Sequence, residues 1–468
     1  MKTYQDYEQN KGNIESFILA AIADYQSSDA YNWAIDGINY SSGKNTFITN
    51  RQNVLHDING RALVDDISPN YKIASNFYGI FVKQRNAFVL GNGIEFEKED
   101  TKKKLGKEFD HLTFFGGQDT LTQGVVYGFW NVDHIEYFPA SQICPLFDEE
   151  TGALRVAIRF WRATDNSVLR ITLFEEDGIT EYREKRKTGE NGSTINTLVT
   201  IEPKRAYKVT NKLSKASGAE YNSGENYSTL PIIPWYSFRN KQVFLESLKD
   251  KIDAYDVLTS IMVNDADDGF VYWVFTNCQG MNTDAELQKA LERIRSVHAV
   301  VVDQGDEATP HTIEPPYSAK MAVKDCMKSD LYRDAMALDT DVLKAGNVTA
   351  TQINAAYEPL NEAADEFEFC TIQYITSLLE LLGIDDYPKF TRSMERNKVE
   401  ETNMILSAGN YLDAETIIDK LPFLTPEEKK IAKDRAAAEE TARFEAEELN
   451  GLGAQTNGQN AVQTGEND

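Results

Sequence analysis

Between Pro231 and Phe275 the chain reads PIIPWYSFRNKQVFLESLKDKIDAYDVLTSIMVNDADDGFVYWVF. A proline-bounded apolar strand, expected to stop at Pro234, gives way to a polar break. One long amphipathic helix follows, then an acidic knot, then an aromatic, β-rich run. Leu245, Leu248, Ile252, Tyr255, Leu258 and Met262 recur every three or four residues, so a single apolar stripe runs along the helix. Asp250 and Asp253 fall off that stripe, and Asp256 lies at its margin. Asp265, Asp267 and Asp268 lack the downstream ligands of a calcium loop and are expected to form a solvated helix end. The helix reads as a strut between a globular body and a small separate module, a plan that suits a structural protein better than an enzyme.

The module has a β-α-β pattern. Strands are expected at 270–276, 298–303 and 311–314. A helix is expected over 284–296 with Leu287, Leu291 and Ile294 inward. Pro315-Pro316 closes it. A second long helix is expected over 317–340, a loop over 341–349, and a third helix over 350–382 with a kink at Pro359. A short strand at 388–391, helices at 402–421 and 425–449, and a disordered Gly/Gln/Asn-rich tail complete the C-terminal part.

Upstream, helical spacing covers 14–25 and 70–90, the latter stopped by Gly91-Asn92-Gly93. From Gly124 to Ile233 the period changes to two. RVAIRFW (155–161), LRITLF (169–174) and Thr180–Arg183 read as successive antiparallel strands. Residues 188–193 and 214–228 read as exposed loops. The fold class is α+β, and 468 residues imply two to four domains.

With 74 acidic against 48 basic residues, the net charge is −26. That balance disfavours tight wrapping of nucleic acid or anionic lipid, yet it allows a duplex to slide past without sticking. Cys144, Cys278, Cys326 and Cys370 lack metal or redox spacing and are expected to be reduced, buried thiols. The N-terminus has no signal-peptide pattern, and no apolar run approaches the ~20 residues that span a bilayer. The expectation is a chain made in a cytoplasm.

No G-x-x-x-x-G-K-[ST], H-E-x-x-H or G-x-S-x-G occurs. No catalytic residue, metal ligand or cofactor is therefore expected.

The ordered series resembles the portal (head-to-tail connector) proteins of tailed bacteriophages, in the branch typical of long-tailed phages. Residues 71–93, 230–268, 346–368 and 390–421 carry the resemblance, which spans most of 70–425. It implies a portal fold assembled as a ring of about twelve subunits around a DNA channel. Residues 1–239 and 350–396 would form the wing, and 240–268 and 317–340 the stem. The clip would be 269–316, the tunnel loop 341–349, the helical crown 397–450 and the disordered tail 451–468. Implied partners are double-stranded DNA passing without sequence specificity, the terminase large subunit, a head-completion or adaptor protein, and scaffolding and major capsid proteins. No membrane is involved. The implied location is a capsid vertex of the virion, after assembly in the bacterial host cytoplasm.

Lys320, Lys324 and Lys328, at i, i+4 and i+8 on one face of the second stem helix, are candidate channel contacts. The alternative is a solvated face paired with Asp325 and Asp330. Lys344 and Asn347 in the tunnel loop are further candidates. Glu286, Lys289, Glu292 and Arg293 on the clip helix are candidate partner contacts. The competing reading is a cytosolic α+β enzyme or monomeric scaffold, for which the sequence offers no nameable pocket.

Overall fold

Polar caps start three of the first four helices, α1 (Tyr4–Gln9), α2 (Ile14–Gln26), α3 (Asp29–Ser41) and α4 (Thr46–Asn50). Thr3, Ser28 and Asn45 accept from the backbone N–H of Asp6, Tyr31 and Ile48. This is seen in a computed structural model, which describes residues 1–56, 61–64, 68–164, 167–188, 194–213, 220–268, 271–276, 283–297, 307–312, 316–341, 350–393, 402, 405–407, 412–421, 424 and 428–438. The chain divides into two units, Met1–Asp339 with Glu358–Ser393, and Thr340–Tyr357 with Met394–Asp468.

In the first unit a small hairpin of β1 (Val54–His56) and β2 (Ala62–Val64) precedes α5 (Phe77–Leu90). The chain then runs through β3 (Ile94–Phe96), α6 (Glu99–Leu105) and α7 (Phe109–Gln123). Helix α5 ends at the expected glycines, with Gly93 at φ +77°, where a side chain is strained. Its start differs from expectation. Residues 70–76 are not helical, because the backbone N–H groups of Tyr71, Ile73 and Ser75 are taken by side chains of the long helix described below.

The period-two region forms β4 (Val125–Asn131), β5 (His134–Pro139), β6 (Ile143–Phe147), β7 (Leu154–Trp161), β8 (Arg170–Glu175), β9 (Gly178–Thr188) and β10 (Thr194–Arg205). It continues through β11 (Lys208–Leu213), β12 (Glu220–Glu225) and β13 (Ile232–Tyr236). Five strands make an antiparallel sheet in the order β10-β9-β8-β7-β6, as the successive-strand reading expected. One face buries Val156, Ile158, Phe160, Ile171, Leu173, Tyr182 and Leu198 against Phe17, Ile18, Ile22 and Tyr25 of α2. Each large apolar side chain so buried contributes about 1.5–3 kcal/mol. The stretch expected to be a loop at 214–228 contains β12, paired with β11.

A second sheet has the order β13-β4-β5. Strand β13 runs through Pro234 rather than stopping there. As an edge strand it tolerates a residue without an N–H. Trp235, fully buried, stacks on Phe367 and Tyr374 of α11 (Ala350–Leu382), with ring centroids at 5.9 and 4.9 Å. Its indole N–H donates to Thr371 Oγ1 at 3.2 Å.

A 3-10 turn (Phe244–Ser247) leads into α8 (Lys249–Asp268). Next come β14 (Val271–Thr276), α9 (Asp284–Val297), β15 (Glu307–Thr312) and α10 (Tyr317–Asp334). Strands β14 and β15 pair antiparallel, so the module's last strand lies upstream of the expected 311–314. The strand expected at 298–303 lies outside the described residues.

Helix α10 stops at Asp334 rather than Thr340, since Met336 turns to φ +50°. Two side chains of α5 take over there. Arg85 donates to Ala335 O at 2.9 Å, and Gln84 exchanges two bonds with the Leu338 backbone. Arg85 is buried under Phe244, 4.1 Å from the ring centroid. Burial pulls its guanidinium down to about 10, which leaves it charged at neutral pH. A cation there complements the negative end of the helix dipole. After α11, β16 (Pro388–Phe390) pairs with β3, as a strand near 388–391 requires.

In the second unit α12 (Ala414–Lys420) begins on Asp413, whose carboxylate accepts from Thr416 N. The helix expected over 402–421 is therefore interrupted at that cap. Lys433, in a helical stretch at 428–438, pairs with Glu415 and Asp419. Residues 451–468 lie outside the described residues.

Of the cysteines, Cys144 is buried and Cys370 half-buried, but Cys326 is exposed, against expectation. Cys278 lies outside the described residues. Among the described residues no helix is long and apolar enough to cross a membrane.

Candidate channel and partner surfaces

The long helices α8 and α10 pack antiparallel, and charges fix their register at both ends. Lys251 pairs with Asp334, and Asp265 pairs with Lys320. Between these pairs, Tyr255 and Tyr332 meet the edge of Phe77 at 5.0 and 6.1 Å, and Phe81 meets Tyr332 at 5.2 Å. Helix α5 thus clamps both rods through an aromatic cluster.

The lysine line of α10 lies half-buried against this pairing. Lys320 is held by Asp265, a residue expected to be solvated. Lys324 lies 5.5 Å from the Tyr255 ring centroid, and Lys328 lies 5.9 Å from that of Tyr332 on its own helix. Asp330, offered above as a partner for the line, binds Arg333 at 2.7 Å. Lys344 and Asn347 lie outside the described residues.

A polar ladder, missed at the sequence level, ties α8 to the extended segment 71–75. Asn264 Oδ1, Ser260 Oγ and Asp256 Oδ1 accept from the backbone N–H of Tyr71, Ile73 and Ser75 at 2.7, 3.0 and 2.9 Å. The match is geometric. Four residues of helix rise about 6 Å, and two residues of extended chain span about 6.6 Å.

Asp253 and Asp256, assigned above to the stripe's far side and margin, are buried. Helices α3 and α4 cover that side and supply the hydrogen bonds that make burial tolerable. Tyr40 Oη and Asn45 Nδ2 donate to Asp253 Oδ1 at 2.5 and 2.9 Å, and Asn45 Nδ2 also reaches Asp256 Oδ2 at 2.8 Å. Desolvation nevertheless holds both carboxyls above the ordinary carboxylate range.

A third face of α8 carries Ala254, Val257, Leu258 and Ile261. With Phe47 of α4, which is 52% exposed, they line an open groove of about 1040 Å³. The spacing of 254, 257 and 261 is legible in the sequence as a second apolar stripe beside the first.

On α9, Glu286 is engaged locally, its Oε2 accepting from Thr283 N at 3.2 Å and Thr283 Oγ1 at 2.7 Å. Lys289 and Arg293 are exposed on the same side, while Ala290 and Ile294 are buried. The side chains of Leu287, Leu291 and Glu292 lie outside the described residues. Among the described residues no group of three or more His, Cys, Asp or Glu is arranged to hold a metal ion.

Comparison with known proteins finds relatives among phage portal proteins. The chain is 25% identical over 231 residues to the portal protein of Clostridium phage phiCD119, a match covering 45% of this chain and 51% of that protein, about half its length. It is 21% identical over 447 residues to the portal protein of Bacillus phage SPP1, covering 85% of this chain and 82% of the relative. The family described as "Phage portal protein, SPP1 Gp6-like" matches residues 40–447. Members of that family are structural proteins of the virion rather than enzymes. The chain therefore belongs to the SPP1 Gp6-like family of phage portal proteins.

Proposed function

We propose that about twelve copies of this chain close into a ring at one capsid vertex, and that a double-stranded phage genome enters and leaves through its channel. The observation that carries the ring is the stripe Ala254, Val257 and Ile261 with Phe47, an apolar groove on the outside of the α8–α10 pair. A helix already committed on two faces, with a third apolar face open, is suited to a neighbour's helix. If this patch meets a different surface of the next copy, the contact is head-to-tail, and it closes into a ring when the rotation per copy is a whole fraction of a turn.

On this reading residues 1–239 and 350–396 are the wing, 240–268 and 317–340 the stem, 269–316 the clip, 341–349 the tunnel loop and 397–450 the crown. The lysine line 320, 324 and 328, with Lys344 and Asn347, meets the duplex through weak, salt-screened phosphate contacts without base readout. Because Lys320 is already neutralised by Asp265, the guiding field stays shallow and the duplex is not trapped. Glu286, Lys289, Glu292 and Arg293 on the clip face the terminase large subunit during packaging and a head-completion or adaptor protein afterwards. Scaffolding and major capsid proteins surround the ring, which assembles in the bacterial host cytoplasm.

Negative-stain imaging of the purified chain, with its mass in solution, tests the reading. Rings are expected for the native chain, with loss of rings and retained secondary structure for Val257→Asp/Ile261→Asp. Solitary particles under every assembly condition, or unchanged rings in the double variant, overturn the proposed contact. Replacing Lys320, Lys324 and Lys328 together by Glu is expected to lower packaging yield while rings persist.

A further inference from the structure

The outer face of the five-stranded sheet carries a row of cations in which, among the described residues, only Arg159 has an acidic partner, Glu136 at 4.0 Å. Across the strands, Trp161 lies opposite Arg170, Arg170 opposite Arg183, and Arg183 opposite Val199. Arg159, two residues before Trp161, and Lys185, two after Arg183, project from the same face. Two guanidiniums lie over the Trp161 ring, Arg159 at 5.7 Å and Arg170 at 5.3 Å from its centroid. Arg170, Arg183 and Lys185 are exposed, and the buried Nε of Arg159 has no hydrogen-bond partner.

Nearby carboxylates are mostly committed elsewhere. Glu184 points to the core side and binds Arg162 at 3.2 Å, and Glu181 lies 3.6 Å from Arg205. Glu136 lies 4.0 Å from Arg159 but accepts a closer hydrogen bond from Asn131 Nδ2 at 2.8 Å. Like charges directly opposite on neighbouring strands destabilise a sheet. An arginine pair of this kind, in a chain of net charge −26, is a cost that a bound anion relieves.

The neighbours of the row indicate which anion. Val199 and Ile201 are 45% and 51% exposed beside the cations, on β10, which among the described residues pairs only with β9. A phosphate polymer would match the arginines and leave Val199, Ile201 and the indole unused. A protein segment alternating acidic and apolar side chains engages both, and Arg and Trp are the residues that anchor such contacts. The geometry points to a docking face for an acidic, partly apolar extended segment of a partner protein, centred on Arg170 and Arg183. It does not depend on ring formation.

The test uses the full chain with three labelled probes: an alternating Glu-Val decapeptide, an alternating Ser-Val decapeptide and a short DNA duplex. Fluorescence anisotropy is read at low and moderate salt. The Glu-Val peptide is expected to bind most tightly and to weaken with salt. Arg183→Glu is expected to lower its affinity at least about tenfold while raising Tm, because the new carboxylate lies opposite Arg170. A purely structural arginine would not give loss of binding with gain of stability. Lys185→Glu provides a second reversal without disturbing the opposed pair, and it should weaken the peptide in the same direction. Equal binding of the Ser-Val peptide, unchanged affinity in both variants, or tighter duplex binding that the variants abolish would each overturn the assignment, the last in favour of a nucleic-acid surface.

Discussion

Lys320 on α10 binds Asp265 on α8 in the same antiparallel register in which Lys251 on α8 binds Asp334 on α10. Each helix presents one lysine and one aspartate fourteen residues apart, about four turns or 21 Å. Because the signs are reversed at the two ends, sliding the rods by one turn breaks both pairs at once. The pairs act as a register lock more than as a source of stability.

Double-mutant cycles separate those two roles. The Lys320–Asp265 pair, with side chains 22% and 16% exposed, is expected to show a coupling of about 1 kcal/mol in denaturant unfolding. The Lys251–Asp334 pair, at 43% and 30%, is expected to give about 0.5 kcal/mol or less. Exchanging the residues within either pair should restore most of the loss, since the register survives the swap. Couplings near zero at both ends would show that the aromatic cluster alone sets the register.

The ladder on α8 gives a local readout. Ser260→Ala removes the acceptor for Ile73 N–H and is expected to cost about 1 kcal/mol. Amide exchange at Ile73 should accelerate much more than at Leu378, which lies in a different part of the same unit. Uniform acceleration across the unit would mean that the segment is held by packing rather than by its three side-chain acceptors.

Much of this was legible beforehand, and what was not has a common cause. The alternation of Val156, Ile158 and Phe160 declares both a strand and its buried face. The stripe from Leu245 to Met262 declares the long helix in the same way, although the α-helix itself begins only at Lys249. Periodicity reports which residues are apolar, however, and not which polar residues a neighbouring segment will satisfy. On a helical wheel Asp253 falls off the apolar stripe and Asp256 lies at its margin. They are buried because Tyr40 and Asn45, more than 200 positions away, carry the matching donors. The start of α5 departs from the pattern for the same reason, as residues 71–75 before it spend their N–H groups on α8. The lysine line was found by spacing, but its direction is set by Asp265 and Tyr255 on another helix, which spacing cannot reveal.

The buried acids set a pH dependence opposite to that of most carboxylates. Burial raises the folded-state pKa of Asp256 above its ordinary 3.8, so its ionised form is disfavoured in the folded chain. The resulting penalty is complete above the raised folded value and vanishes as pH falls toward 3.8. Asp256→Asn carries no such titration and loses one acceptor, so it should be less stable at all pH. Its deficit relative to the native chain is expected to widen on acidification through that window and to stay flat above it. Paired thermal melts between about pH 4 and 7 measure the difference, to which the neighbouring Asp253, coupled to Asp256 by charge, also contributes. A deficit that narrows as pH falls would mean that the Asn45 and Ser75 donors outweigh desolvation.

Packing at the centre of the first unit depends on a missing side chain. A Cβ at Gly128 of β4 would stand 2.1 Å from Tyr374 Oη and 2.8 Å from its ring carbon, beneath the Trp235–Tyr374 stack. Tyr374 is packed between helix and sheet against Trp235 and Tyr137, with ring centroids at 4.9 and 6.1 Å. Gly128→Ala is therefore expected to destabilise by about 1–3 kcal/mol or more, as overpacking does. Tyr374→Phe alone should change stability little. Combined with Gly128→Ala it should recover part of the loss but not all, since the ring carbon still crowds the new methyl. Full additivity of the two substitutions in unfolding measurements would show that α11 can shift away from β4, and that the stack on Trp235 does not fix the helix to the sheet.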